Sequence, residues 1–391
     1  MRIVHIITRM IVGGAQENTR FNCLDLIREH GDDVTLITGP SLGAEGSLLD
    51  QTDDRDLKVV LVPSLIRSIR PHVDVGAYRD LKRLLEQLKP DVVHTHSAKA
   101  GMLGRAAAWK LRVPCVVHTV HGAPFHPFQS RPAQWFFQAC ERWGAKRCHR
   151  MISVADAMTD LMVSARVAPR ERFTTIYSGM DVEPFLAADS TRESVRQQLG
   201  IRPEHVVVGK IARLFHLKGH EYLFEAARSM VHQYPHVRFL LVGDGILRAD
   251  MEQTLRRMKI REHFIFTGLV PPERIPSLVG AMDMVAHVSL REGLARAIPQ
   301  GLIAGKPVVS YDIDGAREVV IDNVTGYLLP PKSTHELADA LGTLVRAPEL
   351  RHQMGTEGRR RFTDVFRHQS MTQRIRQLYQ EVLGQRSPAS P

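Results

Sequence analysis

The sequence predicts an α/β protein built as two Rossmann-like domains that face each other across a deep interdomain cleft. Three observations predict it. Short β-branched runs alternate with helical patterns along the chain, the signature of parallel sheets joined by helical crossovers. The 391 residues, 43% hydrophobic and 24% charged, suit a soluble globular chain long enough for two cores. Both halves also open alike, with a hydrophobic strand, a glycine-bearing loop and a long helix.

In the first half the strands fall at residues 2–8, 33–38, 58–62, 91–95, 115–120, 151–154 and 172–177. Residues 10–16 form the glycine loop, and helices follow at 17–30, 75–88 and 99–111. Residues 178–190, rich in Gly, Pro and small side chains, read as a linker. The second series has strands at 205–212, 236–242, 264–266, 284–287, 307–310 and 326–329. Its helices lie at 221–231, 247–258 and 295–304. The expected domains are 1–183 and 184–367, with a helix at about 368–383 and a disordered polar tail at 386–391. Ligands of such sheets bind beyond the carboxyl ends of the strands, which makes the cleft the expected site.

Composition excludes several classes. No apolar stretch approaches bilayer length, so an integral membrane protein is ruled out. The apolar run after Met1 and Arg2 is short, Arg9 breaks it off, and no small-residue cleavage site closes it. It reads as a buried first strand, with the protein in the cytoplasm. Cys23, Cys115, Cys140 and Cys148 are too scattered for a disulfide framework or a zinc knuckle. The net charge of +10 attracts polyanions without choosing among nucleic acid, anionic lipid and phosphorylated substrates.

The strongest local signal is the run from Gly209 to Gly219, in which a buried strand delivers Arg213 and Lys218 opens the next helix. Two fixed cations beside a helix N-terminus make a diphosphate site; an ordinary basic loop is the competing reading. The second signal is Glu292-Gly293-Leu294, followed by a helix carrying Gln300. Eight residues of helix span roughly 12 Å, so Glu292 would hold a sugar hydroxyl while Gln300 reaches a ribose. The diphosphate would lie between them, over the amides of Gly293, Leu294 and Ala295. Glu292 as a helix-capping carboxylate is the alternative.

In this order the two motifs resemble glycosyltransferase family 4, the retaining enzymes of GT-B fold, and the likeness runs over nearly the whole chain. Gly13-Gly14-Ala15-Gln16 is similar to the family's N-terminal glycine loop near the donor phosphates. Ser178-Gly179-Met180-Asp181 resembles the motif that closes the first domain, and Gly243-Asp244-Gly245 the turn after the second donor-domain strand. The last helix is expected to cross back onto the first domain. One position departs: Gln300 stands where the family has a second glutamate, which predicts a weaker grip on the ribose.

The stretches 91–101 and 117–122 resemble the subset that extends lipid-diphosphate-linked sugars for surface polysaccharides. By that resemblance His121 contacts the donor sugar. Lys99, at a helix start, would meet an acceptor phosphate, and His96 opens on the same cleft. Arg67 and Arg70, in a loop alternating apolar and cationic residues, are candidates for the acceptor or for anionic lipid. Residues 131–150 hold Trp135, Phe136, Phe137 and Trp143 among five cations. They read either as an interfacial segment or, in preference, as a helix whose aromatic face is buried.

The resemblance therefore implies a retaining transferase that moves a sugar from a nucleoside-diphosphate donor, a UDP-sugar, to a polyprenyl-diphosphate-linked sugar acceptor. Arg213 and Lys218 would absorb the charge growing on the departing diphosphate, with no cofactor and no metal. His121 and Glu292 would position the sugar, while the donor phosphate itself takes the acceptor's proton. The expected partners are donor, acceptor and an anionic surface on the inner face of the membrane, with no nucleic acid. The alternatives are a transferase acting on a soluble acceptor, and a degenerate donor-binding scaffold subunit.

Overall fold

The structure is a computed structural model that describes residues 1–41, 46–51 and 54–385. The expected tail at 386–391 lies outside the described residues. The chain forms two compact units, one of Met1–Met180 with the segment from Phe366 onward, the other of Asp181–Val365. All thirteen expected strands form, and no strand end moves by more than two residues. In the central strands, β-branched runs such as Val116-Val117 and Val207-Val208 are buried on both faces and have no competing helical reading.

Unit 1 is a seven-stranded parallel sheet: β1 (Arg2–Ile7), β2 (Asp33–Thr38), β3 (Lys58–Leu61), β4 (Val92–His96), β5 (Cys115–Val120), β6 (Arg150–Ser153) and β7 (Phe173–Thr175). Their spatial order is β3-β2-β1-β4-β5-β6-β7. The crossovers are α1 (Gly14–Arg28), α2 (Pro71–Leu88), α3 (Ala98–Lys110), α4 (Arg131–Ala145) and α5 (Asp156–Ser164). α1 takes in Gly14, expected in the loop, and α2 starts four residues early at Pro71, whose ring presets the helical φ of a first turn.

Unit 2 opens with two short helices, α6 (Glu183–Leu186) and α7 (Arg192–Gln198). Its parallel strands are β8 (Val206–Ile211), β9 (Val237–Val242), β10 (Phe264–Phe266), β11 (Met284–His287), β12 (Val308–Tyr311) and β13 (Gly326–Leu329). They are ordered β10-β9-β8-β11-β12-β13. The helices are α8 (His220–Met230), α9 (Arg248–Arg257), α10 (Ile275–Gly280), α11 (Ala297–Ile303), α12 (Thr334–Arg346) and α13 (Pro348–Phe362). Phe239, Leu241 and Ala286 from its strands pack with Leu223, Leu341 and Leu344 from its helices in one core.

The final helix, α14 (His368–Gly384), belongs to unit 1 and buries Met371, Ile375, Leu378 and Tyr379 against the core of β1, β2 and α1. Residues 178–190, read as a linker, are instead ordered. Met180 N donates to Phe366 O at 2.8 Å, His368 N to Met180 O at 3.2 Å, and Phe185 of α6 is buried. Small residues there serve close packing on the last helix rather than freedom of the chain.

Candidate functional site

In unit 2 the strand order reverses between β8 and β11. Loops leaving the carboxyl ends of two such strands diverge and leave a crevice between them. The β8 loop carries Arg213 and Lys218, and the β11 loop carries Glu292. Lys218 Nζ donates to Glu292 Oε1 at 2.6 Å, so the two sequence signals meet in one ion pair. Arg213 is exposed, its guanidinium 5.0 Å from the ring centroid of Phe215.

Strained backbone holds this pair. Leu217 and Gly219, on either side of Lys218, have φ of 66° and 67°. A Cβ on Gly219 would lie 1.8 Å from the carbonyl oxygen of Val288, so only glycine passes under the β11 loop. Leu290 N donates to Leu217 O at 2.8 Å, tying the two loops together. Asp314, also left-handed at φ 47°, accepts the Glu292 amide at 2.6 Å. Left-handed non-glycine residues cost on the order of 1 kcal/mol or more and cluster at functional sites.

The electrostatics are those of a buried charge cluster. Burial opposes ionisation of Glu292, but Lys218 beside it prevails and holds the carboxyl below its usual range. His287 Nε2 lies 3.7 Å from the same carboxylate, yet burial pulls its imidazole down to about 3, so it stays neutral. Lys210, fully buried on β8, is pulled down to about 7 by burial and by the charge of Lys218. Its Nζ has no hydrogen-bond partner among the described residues. Lys210, His287 and Asp314 were missed in the sequence because two lie inside strands and the third sits far along the chain.

Two expectations need correction. The helix was expected from residue 295, but α11 begins at Ala297, after a turn over 291–296. Gly293, Leu294 and Ala295 therefore precede the helix, and the 12 Å helical span from Glu292 to Gln300 does not apply, because only the last part of that interval is helical. Nor is Glu292 a helix cap, since its carboxylate goes to Lys218. Gln300 sits half-buried in α11. Gly243 and Gly245 lie in the loop after β9, where Leu214 N donates to Asp244 O at 2.9 Å and Leu247 N to Leu214 O at 3.1 Å.

In unit 1 the order reverses between β1 and β4. Gly14 starts α1 after β1, while His96 ends β4 and Lys99 lies in the first turn of α3. Ser97 between them has φ 64°. Lys99 Nζ is already engaged, by Asp74 Oδ1 at 2.5 Å and by the Ser68 carbonyl. The Lys99 charge is thus countered by Asp74, and an acceptor phosphate would have to compete for it. Arg67 and Arg70 are exposed in the loop that meets Lys99 through Ser68.

Register pairs His5 on β1 with His94 on β4, and the two-residue period puts His96 on the same face. His5 Nδ1 lies 3.0 Å from His96 Nε2, and His96 Nδ1 lies 3.1 Å from His121 Nε2. His94 is satisfied separately, by Tyr379 Oη at 2.5 Å and Thr119 Oγ1 at 2.7 Å. Burial holds His5 at about 3 and His121 at about 4, and it lowers His94 and His96 too, so the row is neutral.

A neutral row of three imidazoles has two proton orders. If His121 donates inward, the last N–H falls on His5 Nε2, which is buried and has no partner among the described residues. If His5 Nδ1 donates outward, its Nε2 keeps only a lone pair, and His121 is protonated on Nδ1. Orphaned buried N–H groups are the rarer and costlier case, so the second order prevails. His121 then presents a hydrogen-bond donor, not a base. The nitrogens of His5, His94 and His96 also lie within 4.8 Å of one another, close enough for a metal ion. An ion there would have to break these hydrogen bonds.

Comparison with known proteins bears on both sites. Residues 191–361 match the family described as Glycosyl transferases group 1, and residues 22–179 match the Glycosyl transferase 4-like domain. A UDP-Gal:alpha-D-GlcNAc-diphosphoundecaprenol alpha-1,3-galactosyltransferase of Escherichia coli is 27% identical over 97% of this chain and 96% of its own length. An alpha-D-kanosaminyltransferase of Streptomyces kanamyceticus is 29% identical over 71% of the chain and 73% of its own length. Among solved structures, Anabaena Alr3699/HepE in complex with UDP superposes with a TM-score of 0.80 at 24% identity, covering 97% of this chain and all of that one. A sucrose-phosphate synthase of Thermosynechococcus elongatus gives 0.82 at 19%, covering 98% of this chain and all of its own. These two likenesses speak for the fold alone.

Proposed function

Because the chain belongs to the retaining glycosyltransferases of family 4, we propose that it moves a hexose from a UDP-sugar to a hydroxyl of a polyprenyl-diphosphate-linked sugar. The observation that carries this reading is the Lys218–Glu292 pair, held with Arg213 at the switch point of unit 2. The named activity of the E. coli relative, similar over almost the whole of both chains, supports the donor and acceptor classes.

The chemistry follows from the charges. Cleaving the anomeric bond leaves negative charge on the UDP diphosphate. Arg213, and Lys218 once the diphosphate draws it from Glu292, stabilise that charge. When Lys218 turns to the phosphate, Glu292 is released to accept from a sugar hydroxyl. His121, as an N–H donor, orients the sugar or its phosphate. In this reading Gly14, Gly243, Gly245, Gly293, Leu294, Ala295 and Gln300 line the donor. His96, Lys99, Arg67 and Arg70 serve the acceptor. The new bond forms on the face the diphosphate leaves, with the acceptor's proton passing to a donor phosphate oxygen, so configuration is retained. We place the reaction at the inner face of the membrane, where the protein is peripheral; among the described residues no helix is long and apolar enough to cross one.

The test is UDP release from UDP-galactose and other UDP-sugars, with a diphosphopolyprenyl-linked GlcNAc acceptor. Transfer is expected with the lipid-linked acceptor, and its loss by about a hundredfold or more in Lys218→Ala. Unchanged turnover in that variant refutes the mechanism. Transfer only to a soluble aminocyclitol moves the chain to the soluble-acceptor class, and UDP binding without any transfer makes it a scaffold.

A further inference from the structure

Helix α4 is built inside out. Its buried side carries Glu141, Gly144 and Ala145, whereas Trp135, Phe136 and Trp143 are 67%, 47% and 41% exposed. The preferred sequence reading, an aromatic face turned into the core, is therefore overturned for these three, and Phe137 alone is half-buried. The cause is visible: Arg105 of α3 is fully buried and pairs with Glu141 at 3.2 Å, so the carboxylate must point inward. A Cβ on Gly144 would lie 2.5 Å from the Arg105 guanidinium carbon, so the same residue demands glycine on the inner face. The aromatic side is left facing outward.

Composition around the helix is equally lopsided. The chain has three tryptophans, and all three, Trp109, Trp135 and Trp143, are exposed on this part of unit 1. Large aromatics are normally well buried. Between residues 98 and 150 there are nine Lys and Arg and a single acidic residue, Glu141, which is buried. Trp109 and Trp143 line a groove of about 540 Å³ between α2, α3 and α4 together with Lys110 and Arg147, and the one acid in its lining, Asp74 of α2, is neutralised by Lys99. The Arg147 guanidinium lies 3.7 Å from the ring of Trp143.

We propose that this face of unit 1 docks on an anionic lipid bilayer, with the α4 aromatics inserted at the headgroup level. Indole and phenyl rings prefer that depth, and surrounding cations meet the headgroup charge. A second copy of the chain is a poor occupant, because no exposed acidic side chain between 98 and 150 answers the opposing cations. Nucleic acid would satisfy the charge but gives no reason for tryptophans set beside an apolar groove. The inference rests on the proposed lipid-linked acceptor for its biological sense, though not for its physics.

The experiment uses the full chain with vesicles of phosphatidylcholine, with and without phosphatidylglycerol. All intrinsic tryptophan emission comes from this one face, so insertion is read directly. Flotation with the anionic vesicles, a blue shift of the emission and its quenching by brominated lipid are expected. Trp135→Ser/Phe136→Ser and, separately, Lys110→Glu/Lys146→Glu should each weaken partitioning by at least about tenfold. Ile246→Ser/Leu269→Ser, at exposed apolar positions of unit 2, should leave it unchanged. Absence of vesicle binding, or binding indifferent to both unit 1 variants, overturns the proposal. So does a dimer abolished by Trp135→Ser/Phe136→Ser, or retention on RNA with no affinity for vesicles. Vesicle binding without sugar transfer leaves the docking intact and refutes the function. Transfer in detergent without vesicle binding does the reverse.

Discussion

His121 shows how a residue can be assigned a chemical role by what stands behind it. Its outer nitrogen is a donor because His96 and His5 have only one low-cost way to order their protons, ending on a lone pair at His5 Nε2. Long-range nitrogen–proton spectra of imidazole-labelled protein should therefore show His121 as the Nδ1–H tautomer at neutral pH. An Nε2–H pattern would reverse the row and make His121 an acceptor. Replacing the middle link, His96→Leu, removes the bias; the expected result is a mixture of His121 tautomers and a kcat down by about tenfold. A change in KM alone, with the tautomer intact, would reduce His96 to packing. His96 and His121 stood out in the sequence because they end strands. His5 did not, since only the register of β1 against β4 brings it to them.

Elements were legible where pattern and burial agree, and obscure where tertiary contacts override the pattern. The central strands were read almost to the residue because runs such as Val207-Val208 bury on both faces. The start of α11 was misplaced by two residues, since the turn at 291–296 is held by Asp314 and Gly315, which are remote in sequence. α4 is the clearest case. Its amphipathic period is plain, but which side faces inward depends on Arg105, another helix's buried cation. That gives a prediction for the element. Glu141→Gln leaves the guanidinium of Arg105 buried without its counter-charge, and should destabilise unit 1 by about 3 kcal/mol or more. Arg105→Met with Glu141→Leu removes both charges and should recover most of that loss. Denaturant titration of the two variants checks it, and a double variant no better than Glu141→Gln would show that the pair is not what orients the helix.

Across the whole molecule the two units carry different ionisable interiors, and their stabilities should answer pH differently. Unit 1 buries His5, His94, His96 and His118 and half-buries His121, all pulled below the usual imidazole value of 6.5 by loss of hydration, His5 to about 3 and His121 to about 4. Below pH 6.5 the unfolded chain takes up protons that the folded unit refuses, so stability falls with pH, by about 1.4 kcal/mol per pH unit for each such group. Unit 2 buries three such imidazoles among its described residues, His205, His220 and His287, the last two at about 3. It also buries Lys210, lowered from 10.5 to about 7. Between pH 7 and about 10 the unfolded lysine is protonated and the folded one is not, so unit 2 gains stability as pH rises through that window. Hydrogen exchange followed peptide by peptide separates the units. Unit 1 should lose protection first on acidification from pH 6.5. Unit 2 alone should gain protection from pH 7 upward, a gain that Lys210→Met abolishes while raising stability at neutral pH. Equal acid sensitivity of the two units would show that the histidine row of unit 1 is hydrated in solution, and that the tautomer argument for His121 lacks its dry interior.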